Sequence, residues 1–272
     1  HPVYTITPDG RTAFAPDFSR VQHRRPGYGY PGVPDPFEQV QAPEESGLWR
    51  MDLQTGEQQL ILSIAEVAAI PGPHDDVPDV LHYFNHLLVS PDGSRVEFLH
   101  RWRSPGVGKA TRMLVVRPDG SDVRVVDDNG NTSHFIWLDS ERLLAWSGAK
   151  SDRSDFCVFN VETGDIEAMG HDKMTRDGHV NCMPDSDWLV NDAYPGGDQN
   201  RPLYLYHIPM DERVELGAFY SPAEYNGEWR CDLHPRISRD GAKVIIDSAH
   251  EEGLGRQMYM VGVGEILSEM AK

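Results

Sequence analysis

A short turn motif recurs along the chain and separates runs of β-forming residues. Aspartate followed by glycine or serine favours a tight turn, because aspartate hydrogen-bonds nearby backbone and glycine accepts a positive φ. One set of turns lies at Pro8-Asp9-Gly10, Pro91-Asp92-Gly93, Leu138-Asp139-Ser140, Pro184-Asp185-Ser186 and Arg239-Asp240-Gly241. A second set lies between them, at Thr55-Gly56-Glu57, Pro118-Asp119-Gly120, Thr163-Gly164-Asp165 and Met210-Asp211-Glu212. From residue 91 onward the first set repeats about every 45–55 residues, the spacing of four-stranded β-propeller blades.

Five modules follow from this spacing, and each contains several strand-like runs. They cover approximately residues 1–64, 82–127, 131–170, 177–219 and 230–264. The sequence therefore predicts an all-β fold, a single β-propeller domain over residues 1–272 with four-stranded antiparallel blades. Five modules make either a small propeller or part of a larger, seven-bladed one. Short helices are expected at the C-terminus, over residues 263–270, and over residues 63–70.

The first module is interrupted by residues 16–47, which are rich in proline, glycine and charge. A segment of this length without secondary structure is uncommon inside a domain and is usually functional or disordered. Two interpretations remain open. One is a mobile surface loop; the other is a rim loop in which Tyr28 and Tyr30 stack on a sugar while Arg24 and Arg25 contact its acid group. A second loop, residues 71–79, separates the first two modules.

The net charge of −18 limits the partners of the chain. Nucleic acid is not expected, because its phosphates need a basic face. An acidic ligand would have to be held by a local cluster of arginines, against the field of the whole protein. No apolar run is long enough to predict a membrane span. No signal peptide is expected in this chain, and the compartment stays open.

Four modules place a histidine four to six residues ahead of their first turn. These residues are His86, His134, His179 and His234. The innermost strands of a propeller line its central channel, so equivalent positions of successive blades converge on the axis. The matched spacing favours one shared site, in which imidazole transfers protons or binds a metal. The alternative is that each histidine fills the core of its own module.

The last module begins with a dense group of reactive side chains, residues 230–236. Cys231 and His234, together with His179 of the preceding module, form a sulfur and nitrogen donor set that suits zinc or a similar divalent transition metal. Further ligands, or partners that orient the ligands, are Asp192, Asp232 and His250. The alternative is that Cys231 is a buried apolar residue. The three cysteines contain no CxxC pair and cannot all form disulfides.

A cationic and aromatic segment ends the second strand of the second module. Alternation along a strand places His100 and Trp102 on one face, and Arg101 and Arg103 on the other. Aromatic stacking combined with guanidinium charge suits an acidic sugar, so one interpretation is a substrate-binding lip. The other interpretation is a surface strand end without a function.

Seven segments of the chain, taken together, form a recognisable set. They are Tyr83-Phe84-Asn85-His86, His100-Arg101-Trp102, Ser133-His134, Asp177-Gly178-His179, Asn191-Asp192-Ala193-Tyr194-Pro195, residues 201–206 and residues 230–236. This set resembles the β-propeller polysaccharide lyases, the group that contains oligogalacturonate lyases and propeller-type ulvan lyases. The resemblance extends over about residues 80–262, and members of the group are typically seven-bladed.

The resemblance implies β-elimination on a uronic-acid-containing oligo- or polysaccharide. A base removes the proton next to the uronate carboxylate, a cation or arginine neutralises that carboxylate, and an acid protonates the leaving oxygen. Carried over to this chain, His86 is the base. His100 or His134 assists as an acid or by neutralising charge, and Arg153 binds the carboxylate. The tyrosine acid of the ulvan enzymes has no match, since Phe135 follows His134.

The resemblance also implies a metal. In the oligogalacturonate branch a manganese ion is held by several histidines and a glutamine. Cys231 and His234 depart from that pattern and are more similar to the ulvan branch, whose zinc has histidine and cysteine ligands and is mainly structural. The expected cofactor is therefore a divalent transition metal, with zinc favoured over manganese.

Two other functions are compatible with a propeller. The first is a non-catalytic, TolB-like propeller that binds a protein or glycan partner across its face, with the histidines filling the channel. The second is a metal-dependent hydrolase or lactonase, which would need Glu, Asp or Asn ligands on the axis. The sequence contains no GxSxG, no GxxxxGK[ST] and no GxGxxG on a strand–helix unit. These absences exclude an α/β-hydrolase, a P-loop enzyme and a dinucleotide-binding fold.

Overall fold

Strands dominate the computed structural model, which describes residues 1–72, 80–104, 108–150 and 153–270. The side chains of residues 103, 104, 108 and 109 lie outside the described set, as do residues 73–79 of the predicted second loop. Within the described ranges, nineteen strands form five antiparallel sheets, and the strands of each sheet follow one another in chain order. Among the described helices, none is long and apolar enough to span a membrane.

The sheets have the following strands. The first contains β1 (Thr5–Ile6), β2 (Thr12–Ala15), β3 (Gly47–Asp52) and β4 (Gln58–Ser63). The second contains β5 (Leu81–Val89), β6 (Val96–Ser104), β7 (Gly108–Val116) and β8 (Arg124–Asp127). The third contains β9 (Phe135–Trp137), β10 (Arg142–Ser147), β11 (Asp155–Asn160) and β12 (Ile166–Met169). The fourth contains β13 (Asn181–Cys182), β14 (Trp188–Asp192), β15 (Asn200–His207) and β16 (Glu212–Tyr220). The fifth contains β17 (Arg236–Ile237), β18 (Lys243–Ser248) and β19 (Gln257–Gly262).

The five predicted modules correspond to these five sheets, and the prediction of an all-β propeller is confirmed. Four sheets have the expected four strands, whereas the fifth has three among the described residues. Both predicted helices are present, as α2 (Ile64–Ala68) and α3 (Gly264–Met270). Ser63 caps the N-terminus of α2: its hydroxyl accepts a hydrogen bond from the Glu66 backbone N–H, while the Glu66 carboxylate accepts one from the Ser63 backbone N–H.

Consecutive residues of the inner strands face opposite neighbouring sheets. Phe98 packs into the apolar cluster between the first and second sheets, whereas Leu99 packs between the second and third. Leu189 and Val190 divide in the same way between the two interfaces of the fourth sheet. Because side chains alternate across a strand, an apolar residue at every position buries both faces. The sheets therefore stack face to face, as blades do, and their first strands meet at one end.

Residues 16–47 lead from β2 into β3 and contain one short helix, α1 (Phe18–Arg24), in an otherwise irregular segment. The buried guanidinium of Arg20 fastens this insertion to the second sheet. It donates hydrogen bonds to the carbonyl oxygens of His82 at 2.6 Å, Phe37 at 2.9 Å and Val40 at 2.8 Å, and pairs with Asp35 at 3.3 Å. A buried cation needs such partners to offset the loss of hydration. The insertion therefore packs on the end of β5.

Truncating a side chain at a blade interface should destabilise the fold. Phe98 is fully buried between the first two sheets, so Phe98→Ala is expected to lower the free energy of unfolding by about 3–5 kcal/mol. Urea unfolding followed by tryptophan fluorescence measures this change. Met258 is 77% exposed, and Met258→Ala should shift the value by about 0.5 kcal/mol or less. Equal losses in the two variants would contradict this account of the core.

Candidate active site

An axial cavity of about 530 Å³ lies where the first strands of the sheets converge. The structure brings all four of the matched histidines to its wall. The ring centroids of His86 and His134 are 6.3 Å apart, those of His134 and His179 are 4.2 Å apart, and those of His179 and His234 are 3.7 Å apart. Residues from four modules thus form one continuous row of imidazoles.

Backbone irregularities direct these side chains into the cavity. His86 lies in a β-bulge, where the register of β5 against β6 shifts between Asn85 and Leu88, and its φ is 53°. His234 has a φ of 43°. Positive φ is uncommon for residues other than glycine, and bulges re-aim side chains next to functional sites. Both conformations therefore mark positions where the fold accepts backbone strain to place an imidazole.

Carboxylates fix the orientation of two of the rings. Nδ1 of His134 lies 2.9 Å from Oδ1 of Asp177, and Nδ1 of His179 lies 2.9 Å from Oδ2 of Asp192. A carboxylate can only accept a hydrogen bond, so Nδ1 of each ring carries the proton. In the neutral ring Nε2 then has the lone pair, which is available to a proton or a metal. Of the other two rings, that of His86 contacts the Tyr4 hydroxyl through Nδ1 at 3.4 Å.

Burial opposes protonation of two histidines of the row, His134 and His234. It lowers the pKa of His134, and this effect outweighs the opposing attraction of Asp177. Burial, together with the neighbouring His179, lowers the pKa of His234 to about 4. Burial also raises the pKa of the Tyr4 phenol to about 12, so its hydroxyl keeps its proton at neutral pH. For Asp192, burial would raise the pKa, but hydrogen bonding from His179 outweighs it and the pKa is lowered.

Three arginines give the cavity wall its charge, and they are Arg25, Arg230 and Arg236. The Arg25 guanidinium lies 3.8 Å from the centre of the Tyr28 ring. Arg230 donates to the Tyr28 hydroxyl at 2.6 Å and pairs with Asp232 at 2.7 Å. Tyr28 thereby connects the insertion of the first module to the last module beside the row of histidines, with its ring centroid 6.4 Å from that of His86.

The structure supports a metal site in this region, with a donor set that differs from the predicted one. One imidazole nitrogen each from His179 and His234 and a carboxylate oxygen of Asp232 lie within 4.8 Å of one another. These residue types fit a divalent transition metal, and the contact between His179 and Asp192 matches the carboxylate–histidine–metal arrangement that orients ligands in such sites. Asp232 also pairs with Arg201 at 2.9 Å, which balances its charge in the protein without metal.

Cys231, a predicted metal ligand, does not belong to this donor group. Its side chain lies in the wall of a second cavity of about 550 Å³, which adjoins the axial cavity and shares Tyr28, Arg230 and His234 with it. Burial raises the pKa of the Cys231 thiol, so it stays protonated at neutral pH. The next residue, Asp232, contributes its carboxylate to the donor group in place of the predicted Cys231 thiolate. Without the thiolate, the chemical argument that favoured zinc no longer holds.

Two of the three residues of the predicted substrate-binding lip are buried. Arg101 is 2% exposed and Trp102 is 3% exposed, while the Arg103 side chain lies outside the described residues. The insertion covers this end of the second sheet, since the His82 backbone donates to the carbonyl oxygen of Gln41 at 2.9 Å. Burial lowers the pKa of Arg101 to about 10. The side chains of Arg101 and Trp102 are therefore buried and form no lip at the surface.

His100 and Arg153, two predicted catalytic residues, do not line the axial cavity. His100 is 1% exposed, and its Nε2 lies 2.8 Å from Nδ1 of His82. Arg153 lies before β11, the third strand of its sheet, and pairs with Asp155 at 3.3 Å. Because neighbouring strands are about 4.8 Å apart, a third strand starts roughly 10 Å farther from the axis than the first. The roles assigned to these two residues therefore have no geometric support.

Of the two predicted sugar-stacking residues, Tyr28 and Tyr30, only Tyr28 is among the lining residues of the axial cavity. Tyr30 is 48% exposed and packs against Phe18 with ring centroids 5.1 Å apart. Sequence reasoning missed Tyr4 and Tyr194, which contact the histidine row from the residue before β1 and from the residues after β14. The sequence could not identify them, because a single aromatic residue near a strand end looks the same whether it lines a site or fills the core.

Comparison with solved structures identifies the fold. An oligogalacturonate lyase in complex with manganese has a TM-score of 0.66 and 19% identity, covering 96% of this chain and 65% of that chain. The oligogalacturonate lyase from Vibrio parahaemolyticus has a TM-score of 0.65 and 18% identity, covering 97% and 66%. TolB from Acinetobacter baumannii has a TM-score of 0.58 and 14% identity, covering 97% and 52%. No family model matches the sequence, and the search of curated proteins finds no relative.

These comparisons confirm the suspected likeness to the propeller lyases at the level of the fold. At 18–19% identity they show a shared β-propeller architecture. This chain spans about two thirds of the length of the two lyase chains. The TolB structure shares the same architecture, so the fold alone does not separate a lyase from a binding propeller.

Stability should depend on pH through His100. Burial is the main reason that its pKa lies well below the usual value, so the unfolded chain binds a proton that the folded protein excludes. The stabilisation is fully present above the unfolded pKa of about 6.5 and is lost as the pH falls toward the lower folded pKa. Urea midpoints at pH 8 and pH 5 should differ less in His100→Gln than in the unsubstituted protein. An unchanged difference would refute a neutral His100.

The donor group should bind one divalent ion per chain. After dialysis against a chelator, titration with Mn²⁺ or Zn²⁺ is expected to show a single site by calorimetry. His179→Ala removes a ligand and should weaken binding at least tenfold. His23→Ala serves as a control, because His23 pairs with Glu38 on the insertion and lies away from both cavities. Binding that is absent, or equal in all three proteins, would refute the site.

Proposed function

We propose that this protein is a polysaccharide lyase that cleaves a uronic-acid-containing oligo- or polysaccharide by β-elimination. The observation that carries the proposal is the composition of the axial cavity. Four histidines and three arginines line it, and no carboxylate is among its described lining residues. In a chain with a net charge of −18, this local concentration of cationic and proton-transferring groups favours an anionic substrate.

Arg25 and Arg236 are suited to bind the uronate carboxylate. Within the described part of the chain, neither guanidinium forms an ion pair with a protein carboxylate. Arg230, in contrast, is already paired with Asp232. Guanidinium groups recognise carboxylates through two parallel hydrogen bonds. Neutralising the carboxylate stabilises the negative charge that develops next to it when the adjacent proton leaves.

His86 and His134 are suited to the two proton transfers. In the tautomer with Nδ1–H directed at Tyr4, Nε2 of His86 takes the proton from the carbon next to the carboxylate. The electron pair of the broken C–H bond forms a double bond to the neighbouring carbon, and the bond between that carbon and the glycosidic oxygen breaks. Protonated His134, stabilised by Asp177, then gives its proton to the leaving oxygen. A bound uronate adds negative charge that opposes the burial effect on His134.

The donor group of His179, Asp232 and His234 lies at the end of the same row. When bound there, a divalent cation supplies positive charge beside the cavity. The manganese in one structurally similar oligogalacturonate lyase agrees with this assignment, and the metal is a divalent ion of the manganese or zinc class. The second function, a non-catalytic propeller that binds a protein or glycan, is supported by the likeness to TolB.

The loss of His86 tests the proposal. Purified protein, supplied with Mn²⁺ or Zn²⁺, is incubated with galacturonan oligomers, ulvan and a panel of other uronate polymers. Ultraviolet absorbance of the unsaturated product measures cleavage. His86→Ala should lower kcat by about 10²–10⁴-fold, the usual contribution of a general base, while His23→Ala keeps the full rate.

Two outcomes would contradict the proposal. Full activity in His86→Ala would show that His86 is not the general base. If folded, metal-loaded protein released no unsaturated product from any uronate polymer, the lyase function would be refuted. The non-catalytic binding function would then be favoured.

A further inference from the structure

One carboxylate links the backbones of two histidine segments in different blades. Asp192 is the last residue of β14 and is fully buried. Its Oδ1 accepts a hydrogen bond from the His179 backbone N–H at 2.5 Å, and its Oδ2 accepts one from the His234 backbone N–H at 3.2 Å. The His179 ring donates a third bond from Nδ1, 2.9 Å from Oδ2. A single side chain therefore receives donors from the fourth and the fifth module.

Close packing leaves the His179 segment little freedom around this carboxylate. A Cβ atom added at Gly178 would lie 1.9 Å from the carbonyl oxygen of Asp192. Real Cβ atoms do not approach oxygen so closely, so only glycine allows the segment to run this near to β14. The Tyr194 backbone N–H also donates to the carbonyl oxygen of Asp177 at 3.0 Å. Residues 177–179 are thus held against the end of β14 on both sides.

We propose that Asp192 is a positioning residue that sets the tautomer of His179 and holds the His234 backbone so that both imidazoles present nitrogen to one metal ion. This inference rests on the metal centre within the proposed function and adds the residue that assembles it from two blades. Asp192 is not itself in the donor group. Its effect is transmitted through the groups that it orients.

The chemistry of a carboxylate is what this position requires. It offers two oxygens that only accept hydrogen bonds, and here three N–H groups converge on them. An asparagine of the same shape has one accepting oxygen and an NH₂ group that donates. Placed opposite the His179 ring, the NH₂ group would favour the tautomer with the proton on Nε2, which cannot act as a ligand. Placed opposite a backbone N–H, it would set two donors against each other.

Cobalt(II) binding provides a test that does not depend on enzymatic activity. Co²⁺ is titrated into metal-free protein, and the visible absorption of the bound ion reports both affinity and ligand geometry. Asp192→Asn should weaken Co²⁺ binding by about 10- to 100-fold and change the spectrum. Asp192→Glu retains the carboxylate and should bind more tightly than Asp192→Asn. If the asparagine variant does not fold, the glutamate variant is compared with the unsubstituted protein, and an altered spectrum is expected.

Asp127→Asn is the matched control. Asp127 is also a buried carboxylate with three side-chain donors, Asn129, Thr132 and Ser147, but it lies in the second module away from the histidine row. This substitution should lower the melting temperature and leave Co²⁺ binding unchanged. Asp192→Asn with a lower melting temperature but the affinity and spectrum of the unsubstituted protein would show a merely structural role and overturn the inference. Failure of the unsubstituted protein to bind Co²⁺ would also overturn it.

The outcome for the lyase function is separate. Weakened Co²⁺ binding in Asp192→Asn supports the inference even if no uronate polymer is cleaved. Conversely, a protein that cleaves such a polymer but binds Co²⁺ equally well with and without Asp192 retains the proposed function and loses this inference.

Discussion

Burial of both faces of each inner strand is the constraint on which the architecture depends. A strand such as β6 carries Phe98 toward one neighbouring sheet and Leu99 toward the other, so no sheet can satisfy its apolar surface alone. Stacking the sheets face to face removes this surface from water, which is the dominant favourable contribution to folding. The same stacking brings the first strand of each sheet to a common end. The packing of the core, more than any local motif, therefore brings the four histidines into one row.

Electrostatics distinguishes this common end from the rest of the molecule. The chain as a whole repels anions, yet the axial cavity collects three guanidinium groups and four imidazoles. Asp232 pairs there with Arg201 and Arg230, and the carboxylates of Asp177 and Asp192 are directed at imidazole nitrogens. They set which nitrogen carries a proton while the cavity wall stays free of exposed negative charge. Preorganisation of this kind is what gives enzyme sites their effect, since no reorganisation is needed when charge develops.

Periodicity predicted the fold and the convergence of the histidines, because both follow from spacing that is visible in one dimension. The boundaries of the five modules and the shared wall of His86, His134, His179 and His234 needed no tertiary information. Orientation could not be predicted in this way. Whether Cys231 or Asp232 joins the donor group depends on the backbone conformation of the irregular segment before β17, which residue spacing does not reveal. The distance of Arg153 from the axis could not be predicted either. A loop before a third strand has the same residue types as a loop before a first strand, so the sequence does not tell them apart. The insertion gave no helical signal strong enough to foresee α1 or the packing of Arg20.

The hydrogen bond between Tyr28 and Arg230 has a consequence for how the site is assembled during folding. It joins residues 202 positions apart in the chain, whereas the hairpins within each sheet join near neighbours. Local pairings form first because their loop-closure cost is low. This contact can form only after the first and fifth modules are both in place. A chain in which the fifth module is still unfolded would lack His234, Asp232 and this contact together, so the site is incomplete until that module has folded.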